Sequence, residues 1–110
     1  MTIIYTTLII FGLTTILGLY LSSLVIRNKQ TPKVVIAIHG VLTMSGFVFL
    51  IFYCPASLMI TLCFSIATIC GLVLLYQDLT GAKFSKWLCY AHGFMTIAGF
   101  ILLVVYAVGR

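Results

Sequence analysis

The sequence predicts an all-α integral membrane protein, a four-helix up-down bundle built from two parallel two-helix repeats. Three observations carry that prediction. Hydrophobic residues make up 64% of the 110-residue chain and charged residues 6%, with a mean hydropathy of +1.32. A water-soluble domain of this size has too little interior to hide so much apolar surface. The apolar residues fall into four runs, about 3–26, 34–53, 56–76 and 87–108, each with the ~20 residues that carry a helix across a ~30 Å hydrocarbon core. Finally, the halves 1–53 and 54–110 repeat one another at an offset of 53, within a single membrane domain.

The first run exceeds a signal-peptide core and lacks a basic start and a small-residue cleavage site, so it reads as a retained helix. The basic first connection, with Arg27, Lys29 and Lys33, leads to the second run, which carries His39. A short uncharged connection at Cys54-Pro55 follows. The third run matches the first: TILGLYL at 15–21 stands against TICGLVL at 68–74, five of seven positions identical. Asp78, the sole acidic residue, reads as a solvated boundary residue at its end. Lys83 and Lys86 mark the third connection, and the fourth run carries His92. Period-two alternation is absent, which argues against a membrane β-barrel.

The formal charge of +5 is a topology signal and not a nucleic-acid footprint. Lys and Arg concentrate on the cytoplasmic side of membrane proteins, so connections one and three are expected inside, with both termini and Cys54-Pro55 outside; Arg110 runs against this pattern. The expected setting is a bacterial inner membrane. Neither C-x-x-C nor C-x-x-C-H occurs among the four cysteines, which excludes covalent c-type haem attachment. Cys63, Cys70 and Cys89 read as apolar filler within spans, and Cys54 as an oxidisable residue at the outer boundary.

The two histidines occupy matching places. Residues 33–53 and 86–106 share Lys, His, Gly, Thr, Gly, Phe, Leu and Tyr, and both contain H-G-x-x-T-x-x-G-F. Each half holds an even number of spans, so both enter the membrane in one sense, related by a pseudo-twofold axis along its normal. Helices one and three then lie diagonally opposite, as do two and four. His39 and His92 face each other six residues inside Lys33 and Lys86, ~9 Å at helical rise.

An intramembrane histidine is costly and points to function by default, against the plainer reading of a neutral ring satisfied by a carbonyl or hydroxyl. Thr43 and Gly46, and Thr96 and Gly99, share the face of their histidine, while Gly40 and Gly93 open room beside it. Gly18 and Gly71 lie at similar depth on the other helix pair. Small residues allow close helix packing, and they equally let a flat macrocycle approach the backbone. The pattern suits one haem with iron between His39 and His92. Lys33 and Lys86 would meet its propionates, unless they only snorkel. Zinc lacks ligands; two histidines with Cys89 would suit copper. The serines have no histidine–acid partners for hydrolysis.

At these histidines the chain resembles membrane b-type cytochromes. The resemblance implies non-covalent haem b with His39 and His92 as axial ligands, and electron exchange with quinone. Many such proteins carry four histidines and two haems; this chain has ligands for one. The expected function is that of a minimal one-haem cytochrome b, an electron-transfer protein working between superoxide or another small donor and quinone. The alternatives are a haem-trafficking or sensing protein, or a cofactor-free transporter or assembly subunit. A homodimer pairing His39 of one copy with His92 of another fits the same residues.

Overall fold

The computed structural model describes residues 2–53, 58–83 and 85–109. They form α1 (Thr2–Ile26), α2 (Lys33–Val48), α3 (Leu58–Thr80) and α4 (Lys86–Val108), with α2 prolonged by a π-helical turn at Phe49–Tyr53. No strand occurs among the described residues. All four helices are long and apolar enough to cross a membrane, and the molecule measures 43 × 23 × 19 Å.

The helix ends follow from local chemistry. α1 stops in a Schellman arrangement: Lys29 N–H donates to the Leu24 carbonyl at 2.8 Å and Asn28 N–H to that of Val25 at 3.1 Å. Asn28 itself has φ 58°, a left-handed conformation that Asn tolerates better than most residues. Fifty-three positions on, Gly81 stands just past α3 with φ 72°. α2 starts after Pro32 and α4 after Ser85, both extended. The Gln77 side chain ties α3 to α4, donating to Ser85 Oγ at 3.0 Å and accepting from Ser85 N–H at 3.1 Å.

One boundary departs from expectation. The third span was expected to end at residue 76, where the apolar run stops, yet α3 continues to Thr80. Gln77 and Asp78 are polar but compatible with a helix; the stop is Gly81. The Cys54-Pro55 connection and Arg110 lie outside the described residues.

The helices pack through small residues. α1 runs antiparallel to α2: a Cβ on Gly18 would meet the His39 ring, and one on Gly46 would lie 3.0 Å from Phe11 Cζ. α3 and α4 repeat this at Gly71–His92 and at Gly99 beside Phe64 and Cys63. α1 also packs on α4, where Ile4 meets Ala107 and Gly12 faces Phe100. The α2–α3 seam lacks comparable packing. At the centre Phe11 and Phe64 stack with ring centroids 4.2 Å apart and planes 9° from parallel. Leu50 and Leu103 are buried beside them. Outward-facing side chains such as Ile9, Ile16, Leu58 and Trp87 are large, apolar and exposed. A surface so continuously apolar marks a face that meets something other than water.

Candidate functional site

The structure brings His39 of α2 and His92 of α4 together, with ring centroids 6.3 Å apart and planes at 84°. Each ring lies against the glycine of its own hairpin. A Cβ on Gly18 would stand 3.1 Å from His39 Cε1, and one on Gly71 3.0 Å from His92 Cε1. Any other residue at these two places would press on the imidazole. Gly18 and Gly71, expected to admit a macrocycle edge, lie directly against the imidazoles.

A backbone carbonyl holds one ring. His92 Nδ1 lies 2.6 Å from the Ala67 oxygen. A carbonyl can only accept, so Nδ1 carries the hydrogen, and in the neutral ring Nε2 keeps the lone pair that binds metals. His39 is close to the same arrangement. The Thr14 carbonyl, 53 positions before Ala67, approaches it, but not within hydrogen-bond geometry. Its Nδ1 is buried without a partner among the described residues.

The remaining expected site residues divide. The hydroxyls of Thr43 and Thr96 donate to the carbonyls of His39 and His92 at 2.7 and 2.8 Å, and both threonines line a cavity of about 20 Å³ that the two rings share with Phe11 and Phe64. Such back-bonding is how a helix quiets a threonine in an apolar setting. Gly46 and Gly99 are buried in helix packing against α1 and α3. Gly40 and Gly93 have no neighbour that a Cβ would meet. Lys33 is bound to Asp78 at 2.5 Å, whereas Lys86 lines a separate cleft with Lys29 and Lys83.

Two features were not anticipated from the sequence. Asp78 is no solvated boundary residue: its side chain is only 8% exposed, held by Lys33 and by the Thr31 hydroxyl at 3.3 Å. It borders a cavity of about 100 Å³ together with both histidines, Gly18, Gly71 and Cys89. Nothing in its local sequence marks this, because its partners lie 45 and 47 residues away. The Phe11–Phe64 stack beside the histidines was also missed. Here a signal existed, since the two residues match at the offset of 53.

Among the described residues no three His, Cys, Asp or Glu side chains gather as a metal-binding group. Zinc takes three or four protein ligands, and Cys89 does not complete a copper set. A macrocycle that brings its own nitrogens needs only an axial pair. Compared with protein-family models, curated proteins and solved structures, the chain matches none.

Proposed function

We propose that the chain is a membrane-embedded protein, a duplicated helical hairpin, that holds one haem b between His39 and His92 and transfers electrons between a small donor and quinone. The carrying observation is the histidine pair, with centroids 6.3 Å apart. A metal held in line by two imidazole nitrogens at ~2 Å each leaves the ring centroids about 6 Å apart. The separation of the two rings is that of an axial pair. The cavities around it, about 100 Å³ and about 20 Å³, are small beside a porphyrin. The sparsely packed α2–α3 seam is where the bundle has room to part.

Membrane embedding is supported by the four apolar helices and by exposed side chains such as Ile16, 65% accessible. The basic connections would face the cytoplasm and both termini the other side. Matching positions support the duplication: Gly18 and Gly71 each seat a histidine, and Phe11 stacks on Phe64.

Within this reading each residue has a task. Ala67 orients His92 and fixes its tautomer. Gly18 and Gly71 give the rings their places, and the Phe11–Phe64 stack gives the site an apolar wall on one side. A haem held by His39 and His92 would supply one-electron transfer.

The test is the visible spectrum of the detergent-purified protein, oxidised and dithionite-reduced. A low-spin b-type spectrum, lost in both His39→Ala and His92→Ala and re-oxidised on adding a quinone, is the expected result. A preparation that stays colourless after haem addition would sink the proposal, as would histidine variants that keep the parent spectrum. Haem stoichiometry in monomer and dimer fractions separates a site within one chain from one shared between copies.

A further inference from the structure

We propose that the cleft between the first and third connections binds a phosphate-bearing anion, and that in a membrane this is the headgroup of an anionic phospholipid. The cleft, about 330 Å³, is lined by Lys29, Lys83 and Lys86, with Asn28, Gln30, Ala82 and Val25. Three lysines thus line one space. The chain has a single acidic side chain, Asp78, and it is already bound by Lys33 and Thr31. No carboxylate side chain is left in the chain to offset Lys29, Lys83 and Lys86.

The comparison of the two halves sharpens the point. Lys86 stands 53 positions after Lys33, and Asp78 stands 53 positions after Val25. In one of the two equivalent places, Lys33 of the first half and Asp78 of the second pair across the bundle. In the other, Lys86 and Val25 line one cleft, and the place corresponding to the carboxylate is apolar. The second half-site has the cation and lacks the anion, so an external anion completes it.

Phosphate suits the lining. Lysines bind it as flexible point charges, and the amides of Asn28 and Gln30 add neutral donors. Buried Val25 gives an apolar wall, which a headgroup with its glycerol uses and a free ion does not. Basic pockets between membrane helices on the cytoplasmic side take anionic headgroups in this manner. The lipid source rests on the membrane reading above, and the site is independent of haem.

The full-length protein in neutral detergent is titrated with dioleoylphosphatidylglycerol, with dioleoylphosphatidylcholine and, separately, with inorganic phosphate, with bound adducts read by native mass spectrometry. Phosphatidylglycerol is expected to saturate one site that phosphatidylcholine leaves empty. Each lysine removed should weaken it about fivefold, so Lys83→Gln with Lys86→Gln together lose about 25-fold. Val25→Asp supplies the missing carboxylate from within and should weaken binding about fivefold. Lys33→Gln should leave it unchanged. Inorganic phosphate binding with the same dependence on the variants, without lipid binding, upholds the site and assigns it a soluble ligand. Equal binding of both lipids with no phosphate binding overturns the proposal, as does parental affinity in the lysine and Val25 variants. Circular dichroism checks each variant, and Lys86→Gln alone serves if the double variant does not fold. The titration reads lipid and not colour, so a colourless protein that binds phosphatidylglycerol fails the haem reading alone.

Discussion

Replacing Gly71 and Gly18 by alanine separates the seat of the imidazoles from the stability of the bundle. The added Cβ would stand 3.0 Å from His92 Cε1 and 3.1 Å from His39 Cε1. Ordinary carbon contacts begin near 3.4 Å, so the rings must yield by 0.4 and 0.3 Å, the differences between those values. Rotating an imidazole off its rotamer to do so costs ~0.5–1.5 kcal/mol. Alanine returns up to ~1 kcal/mol through helix propensity, so the net change in stability is within about 1 kcal/mol. The cost falls on the site: a ligand whose supporting contact is disturbed loses ~10-fold or more in affinity. Gly46→Ala is the contrasting control. Its Cβ would meet Phe11 Cζ at 3.0 Å and Ile10 Cγ2 at 3.1 Å, an overpacked core position worth ~1–3 kcal/mol of stability. Haem titration and thermal melting, both followed on purified protein, should give opposite orders for the two kinds of variant. Parental haem affinity in the Gly18→Ala, Gly71→Ala double variant would refute the reasoning.

Two further outcomes follow from the contacts. Lys33→Met should destabilise by ~2 kcal/mol, because it strips the cation from a nearly buried carboxylate, whereas Asp78→Asn leaves a largely exposed ammonium and should cost below ~1 kcal/mol; urea unfolding in detergent ranks them, and the reverse order would contradict the burial of Asp78. A double-mutant cycle of Phe11→Leu and Phe64→Leu should give a coupling of ~0.5–1.5 kcal/mol from the ring stack, and strict additivity of the two melts would show that the stack carries none.

Much of the fold was legible because a long apolar helix announces itself by length and hydropathy. Three of the four spans fall within two residues of α1, the π-extended α2 and α4. α3 overran because composition records where polarity begins, while a helix ends where its backbone is turned, here at Gly81. The histidine pair was legible through the repeat, which converts two lone residues into a symmetric constraint. Gly18 and Gly71 were placed at the right depth, yet rise per residue gives height and not azimuth. Only packing shows that they touch the rings of their own hairpins. Asp78 was illegible for another reason. Its burial depends on the first connection folding back to deliver Thr31 and Lys33, a contact without any local pattern.

The uneven seams give the bundle a mechanical axis. α1 and α4 join the two hairpins along one side, while α2 and α3 meet little on the other. The molecule is bound like a book, with its spine at α1–α4 and its open edge at α2–α3. Thr31 and Lys33 reach across that edge to Asp78 and act as a clasp at the basic end. A bundle hinged in this way would open at the α2–α3 edge without breaking either hairpin. The histidines, one on each page, are the groups that such a motion would part.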